Sequence, residues 1–250
     1  MLNLQTLHAL ADGCPYDFGG QVLALSDEEG YGFIGQGGDL TVSTLLHAYR
    51  CGVFPWFDNE PIAWWSPNPR CVIDPLSFTP KKSLIRTTRK SSWTLTTNHA
   101  FEEVINACRE PRAYTDKTWI GSEMVEAYIK LHELGVAVSV EIWQDEPTKS
   151  PLIGGLYGIG FGAVFCGESM FHRMADSSKV AFWGLMKLCQ KRGICLVDCQ
   201  LKNPHLMSLG ATLMDRQAFL GELDCLNKTD VAGLGAWHFC MPVSKLVEMT

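Results

Sequence analysis

The chain has 250 residues, 46% hydrophobic and 19% charged, a globular balance that allows one large domain or two unequal ones. Its net charge of −6 argues against general coating of nucleic acid but leaves room for a local basic patch. No run approaches the ~20 uninterrupted apolar residues of a membrane span, and the start MLNLQTLHALADG has no signal-peptide pattern, so a cytoplasmic protein without a membrane partner is expected.

Residues 41–51 read as a short helix with Thr41 as N-cap and Gly52 as stop. Residues 52–70, GVFPWFDNEPIAWWSPNPR, combine Trp56, Trp64 and Trp65 with Pro55, Pro61, Pro67 and Pro69. Four prolines predict a stiff, irregular loop and exclude a helix or a central strand. Rings on such a loop either fold onto the core or wall an apolar pocket, and composition leaves both open. Before Arg70 the chain shows Gly-rich turns and little regular structure, and after it come periodic elements. A boundary is therefore expected near residue 72, dividing a small domain, 1–72, from a larger one, 73–250. Lys81, Lys82, Arg86, Arg89 and Lys90 place five cations in ten residues with no carboxylate, a pattern that by itself describes a solvated face.

Helices are predicted over 98–109, capped by Asn98, and from Ser122 to the stop at Gly135. Residues 136–143, 152–159 and 163–171 read as an antiparallel meander. Asp176 or Ser177 caps a helix to Arg192, Gly193 ends it, and 194–200 form a strand. The order predicts an α+β fold with helices on the faces of a mostly antiparallel sheet. Meander, helix, strand is also the core build of a GNAT-type acyltransferase, an analogy of fold that does not fix chemistry. Ten scattered cysteines without a CxxC pair read as reduced thiols and not as a zinc site.

Two strands carry polar groups that need explaining. Glu168 interrupts AVFCGESMF with no neighbouring cation, so it sits either at a wet strand end or in a site. In ICLVDCQ, alternation puts Asp198 and Gln200 on one face, and Asn203 follows closely. Such a cluster either faces a cleft or caps the next turn.

The motifs FIGQGGDL, YRCGVFPWF, AWWSPNPR, TWI, CGESMFHRM with SSKVA, and LVDCQLKNPHLMSLGA occur in this order from Phe33 to Phe219. Together they resemble the bacterial leucyl/phenylalanyl-tRNA–protein transferase family. The resemblance implies a small N-terminal domain joined to a GNAT-like domain. It implies transfer of leucine or phenylalanine, less well methionine, from aminoacyl-tRNA to acceptor proteins with an N-terminal Arg or Lys, marking them for degradation. By motif position it puts Asp198 and Gln200 at the reacting centre and Trp56, Trp119, Glu168 and Asn203 around the substrate. Leu156, Phe165 and Leu185 are further candidates for the pocket wall. With a tRNA substrate implied, the cations at 81–90 become an expected acceptor-arm contact.

The chemistry is consistent with that implication. Aminolysis of an ester runs downhill, so no ATP, metal or cofactor is required. The sequence has no P-loop and no metal-ligand cluster. An α-amine of pKa ~8 is already about a tenth neutral at pH 7, and holding it against the ester can supply roughly 7–11 kcal/mol. Gln200 is too weak a base to take a proton but can accept a hydrogen bond from the attacking amine. Asp198 can orient Gln200 or accept the surplus proton. A CoA-dependent N-acyltransferase is the alternative on the same fold, but the strand-to-helix junction FHRMADSSKVA lacks the glycines that grip a pyrophosphate. A non-catalytic tRNA- or peptide-binding module would explain the rings and the cations but not the Asp198/Gln200 pair.

Overall fold

The computed structural model describes residues 2–57, 61–111, 120–231 and 238–249. Helices α1 (Leu4–Asp12), α2 (Phe18–Leu23) and α3 (Val42–Arg50) are capped by Asn3, Asp17 and Thr41, whose side chains accept first-turn backbone N–H groups. Thr41 and Gly52 delimit α3 as its sequence predicts. α1 and α2 were not anticipated. Two adjacent glycines weaken α2 locally, but burial of Phe18 and Val22 overrides propensity.

Strands β1 (Phe33–Gln36), β2 (Phe54–Pro55) and β3 (Ala63–Trp65) form a small antiparallel sheet in the order β1-β3-β2. This corrects the expectation of a loop without a central strand. Pro61 and Pro67 flank β3 without entering it, and Pro55 occupies the edge strand β2, where its missing N–H costs no ladder bond.

The chain then enters a second sheet through β4 (Arg70–Ile73). α4 (Lys82–Lys90), β5 (Thr94–Thr97), α5 (Phe101–Arg109) and α6 (Ser122–Glu133) follow. The meander is β6 (Ala137–Trp143), β7 (Leu152–Phe161) and β8 (Val164–His172). After it come α7 (Ser177–Arg192), β9 (Leu196–Asp198), α8 (Pro204–Ser208), β10 (Thr212–Met214), α9 (Arg216–Asn227), β11 (Cys240–Pro242) and α10 (Lys245–Glu248). The sheet has eight strands, ordered β10-β4-β9-β8-β7-β6-β5-β11 among the described residues. β8 and β9 pair in parallel because α7 crosses over between them, and the other pairs are antiparallel. The architecture is thus α+β, with a small N-terminal domain and a mostly antiparallel sheet flanked by helices.

Two details depart from the sequence pattern. Asn98 does not cap α5: its backbone has φ 57°, and its side-chain oxygen accepts the Ser139 N–H at 3.0 Å. β9 stops at Asp198, and Gln200 turns out of the strand with φ 55°, so alternation does not govern the pair.

The faces of the large sheet are covered differently. On one, Val140, Leu156, Phe165 and Val197 pack against α7, with Leu84 of α4 and Leu246 of α10 in the same cluster. On the other, Tyr157, Val164 and Leu196 pack with Phe101 of α5, Met124 of α6, and Leu45 and Tyr49 of α3. The N-terminal domain therefore sits on the face opposite α4 and α7.

Candidate active site

The site begins where two parallel strands separate. β8 and β9 stay in register to the Cys166–Asp198 pair, after which β8 continues while the other chain turns away at Gln200. Between Tyr157–Ser169 and Gly158–Gly167 the ladder of β7 and β8 skips one residue. That residue is Glu168, so the carboxylate sits on a β-bulge, a device that re-aims a side chain out of the pleat.

Glu168 is surrounded by donors. Tyr49 on α3 gives its hydroxyl to Oε1 at 2.8 Å, and Tyr128 on α6 gives its hydroxyl to Oε2 at 2.9 Å. The two phenol oxygens are also within hydrogen-bonding reach of each other, and since each phenol has one proton, that bond forms only when Glu168 is protonated and donates to one of them. The Gln200 amide Nε2 donates to Glu168 Oε1 at 3.3 Å. Removal from water pushes the Glu168 carboxyl up to about 7, against the opposing pull of the two tyrosine hydrogen bonds. Burial, with the Glu168 charge adding to it, holds both phenols well above their ordinary range, so they stay donors.

Asp198 is placed otherwise. Arg70 grips it with two hydrogen bonds, Nε to Oδ1 at 2.8 Å and Nη2 to Oδ2 at 2.6 Å, and both side chains are 1% exposed. Arg70 also donates to the Gly52 carbonyl at 2.9 Å and lies over the rings of Phe54 and Phe219. Burial alone would lower its pKa, but Asp198 outweighs that and raises it. Asp198 Oδ1 further accepts the Gln200 backbone N–H at 2.9 Å. Asp198 thus orients Gln200 through the main chain, and not from the shared strand face that alternation in ICLVDCQ predicts. Arg70, Tyr49 and Tyr128 were missed as site residues. Tyr49 and Arg70 stand inside the motifs YRCGVFPWF and AWWSPNPR, which was a signal, whereas Tyr128 reads as one more residue of an apolar helix stripe.

Above Glu168 and Gln200 opens a cleft of about 1010 Å³. Leu156, Met170, Phe182, Leu185 and Val197 line its apolar half, from β7 through α7 to β9. Phe54, Pro55 and Trp56 line it from the N-terminal domain. Of the residues singled out by sequence, Trp56, Leu156, Glu168, Leu185, Gln200 and Asn203 meet there. Asn203 also caps α8, its side chain accepting the Leu206 N–H at 2.9 Å. Phe165 is fully buried behind the cleft with Leu156 and Leu185, and Asp198 is withdrawn into its ion pair. Trp119 lies outside the described residues.

The five cations lie on and just before α4, where Leu84 and Thr88 are the buried residues. Lys82, Ile85, Arg86, Arg89 and Lys90 line a shallow groove on it. Among the described residues none of the five cations is in an ion pair. Thr87 of α4 donates to Asp176, the N-cap of α7, at 3.5 Å, and Ser178, Phe182 and Leu185 of α7 line the cleft. The basic helix is therefore joined to the cleft through the first turns of α7.

Comparison with known proteins decides the family. The family model for leucyl/phenylalanyl-tRNA protein transferase matches residues 72–224, and the model for its N-terminal domain matches residues 38–68. The chain belongs to the leucyl/phenylalanyl-tRNA protein transferase family. Relatives named leucyl/phenylalanyl-tRNA–protein transferase include one from Psychrobacter arcticus, 50% identical over 86% of this chain and 80% of that one. Another, from Shewanella halifaxensis, is 48% identical over 86% of this chain and 88% of that one. Among solved structures, L-PGS from Bacillus licheniformis is similar over 61% of this chain and 48% of that chain, with 9% identity and a TM-score of 0.39, too slight a likeness to carry an argument. As a member of this transferase family the protein is an aminoacyltransferase, with aminoacyl-tRNA as donor and a protein as acceptor.

Proposed function

We propose that the cleft above Glu168 and Gln200 is the reacting centre, where leucine, phenylalanine or, less well, methionine passes from its tRNA to the α-amine of an N-terminal Arg or Lys. The observation that carries this reading is the Glu168–Gln200 pair at a β-bulge beneath an apolar cleft. The donor side chain occupies the apolar half, walled by Leu156, Leu185 and Trp56. The tRNA lies along α4, where the cluster of Lys81 and the four cations of the helix, without ion-pair partners among the described residues, meets acceptor-arm phosphates. Because α4 and α7 share one face of the sheet, the ester enters from that side.

Gln200 donates through Nε2 to Glu168, which leaves its Oε1 free to accept an N–H of the attacking amine. The amine adds to the ester carbonyl, and its nitrogen becomes positively charged. Glu168, poised at about 7, takes the surplus proton directly or through water. The C–O bond to the tRNA ribose then breaks, and the ribose oxygen takes that proton back from Glu168, directly or through water, as the amide forms. Tyr49 and Tyr128 keep the Glu168 carboxylate stationary. Asp198 is a positioning residue, since both of its oxygens are held by Arg70 and it does not line the cleft. No step calls for a cofactor or a metal.

The CoA alternative is disfavoured at the start of α7. There the Asp176 carboxylate stands at the N-cap, and the Ser177 hydroxyl is committed to the carbonyls of Ile153 and Met174. A pyrophosphate there would have to sit against the Asp176 carboxylate, which is itself paired with Lys179 at 2.7 Å. We place the reaction in the cytoplasm, in keeping with ten free thiols and with no described helix long and apolar enough to cross a membrane. The division at residue 72 is retained as a functional one, the small domain closing the cleft from the Trp56 side. Purified protein given leucyl-tRNA and a peptide beginning with Arg should release a Leu-Arg peptide without ATP, metal or CoA. Strict dependence on an acyl-CoA, with no use of leucyl-tRNA, would overturn the proposal.

A further inference from the structure

An aromatic surface runs outward from the cleft across the small sheet. Trp56, which lines the cleft, meets Trp65 at 6.0 Å between ring centroids, and Trp65 meets Phe33 at 5.1 Å. Tyr31 closes against both tryptophans, at 5.9 Å and 6.3 Å. Tyr31 is 59% exposed and Phe33 48%, a large apolar area to leave in water. The platform is fixed in place. The Trp65 indole donates to the Trp56 carbonyl at 2.7 Å. Gly32, at φ 63°, passes so close to the Ser66 carbonyl that a Cβ would lie 1.8 Å from it.

The border of the platform is acidic. Asp27, Glu28 and Glu29 immediately precede it and are all exposed. This segment is pinned beside Trp65, because Asn68 Nδ2 donates to the Asp27 carbonyl at 2.7 Å and Gly30 N–H donates to the Asn68 carbonyl at 2.8 Å. Arg216 lies 3.8 Å from Asp27 and offsets its charge, while Glu28 and Glu29 have no ion-pair partner among the described residues. The basic helix α4 lies on the opposite face of the large sheet, as the two apolar clusters establish.

We propose that this platform is the docking track for the acceptor polypeptide, and that it favours acceptors with Lys or Arg in the residues after the first. Flat rings attract ammonium and guanidinium groups, and the acidic border adds to that while repelling phosphates. The two ring-to-ring steps outward from Trp56 match about three residues of extended chain at ~3.3 Å each. The track therefore reads acceptor positions two to four while the α-amine stays over Gln200. The inference rests on the transfer reading above.

The test uses the full-length protein, leucyl-tRNA and three acceptors: arginine amide, a peptide beginning Arg-Lys-Lys, and one beginning Arg-Glu-Glu. Wild type should show a lower KM for the Lys-bearing peptide than for the Glu-bearing one. Glu28→Lys with Glu29→Lys should invert that order. Tyr31→Ala with Phe33→Ala should raise KM for the Lys-bearing peptide roughly five- to twentyfold. Turnover of arginine amide and KM for tRNA should stay as in wild type for both variants. Unchanged peptide KM values in both variants would overturn the inference. So would a raised KM for tRNA, which would mark the rings as a platform for unpaired nucleobases. Failure of wild type to use any of the three acceptors would instead overturn the transfer reading, and this inference with it.

Discussion

Replacing Asp198 tests whether it reacts or merely positions. Asp198→Asn keeps the shape of the side chain and removes the charge that balances a guanidinium 1% exposed. Breaking one partner of such a pair costs ~3–5 kcal/mol, because the other charge stays buried without compensation. For a chain of this size each kcal/mol moves the melting temperature by about 2–4 °C, so a fall of roughly 6–20 °C is expected. The double variant Arg70→Met with Asp198→Leu removes both charges and should recover much of that loss. It should not recover all of it, since the Gly52 carbonyl loses its donor and the Phe54 and Phe219 rings lose their cation. The assay is a thermal melt followed by circular dichroism, paired with single-turnover transfer at a temperature where the variant is fully folded. In that folded protein Asp198→Asn should transfer faster than Gln200→Ala, because it acts only by holding the Gln200 backbone. A variant that melts with wild type yet transfers nothing would refute this reasoning and return Asp198 to the chemistry.

Glu168 gives a pH signature. Its raised carboxyl loses its charge as pH falls through about 7, so below that both it and the acceptor amine must lose a proton. The single-turnover rate should climb about two log units per pH unit below pH 7, and Glu168→Gln should reduce the slope to about one, as measured by a pH–rate profile with the same acceptor. Neutralising Lys81, Lys82, Arg86, Arg89 and Lys90 together should weaken binding of every tRNA alike. It should also flatten the log–log salt dependence by up to roughly one unit for each phosphate left without its cation, read in filter-binding titrations. Leu156→Phe narrows the apolar half of the cleft and should lower transfer from phenylalanyl-tRNA relative to leucyl-tRNA by roughly 10–200-fold, measured by competition between the two donors.

Much of the fold was legible because its signals are local. The meander, α6, α7 and their glycine stops follow from hydrophobic period and capping residues, and the structure places them within a few residues of expectation. α1, α2 and β3 were not legible, since short elements are decided by what they pack against, as the buried Phe18 and Trp64 illustrate. At the site, Glu168 and Gln200 stood out as polar groups in apolar strands. Their geometry did not, because a bulge at Glu168 and a positive φ at Gln200 both break the alternation from which sequence reasoning works. Arg70 and Asp198 are separated by 128 positions, and Tyr49 and Glu168 by 119, so no spacing rule could pair them.

The most direct test of the reacting centre is single-turnover transfer from leucyl-tRNA to an Arg-started peptide by wild type and by Gln200→Ala, with leucyl-tRNA binding measured alongside. Gln200 lines the cleft, is half-buried and meets Glu168 at 3.3 Å, so its truncation should leave the fold and donor binding intact. The account predicts unchanged binding and a transfer rate lower by about tenfold or more, toward the 10²–10⁴-fold typical of a group that handles a proton in flight. Wild-type transfer by Gln200→Ala would contradict it and move the chemistry away from this end of the cleft.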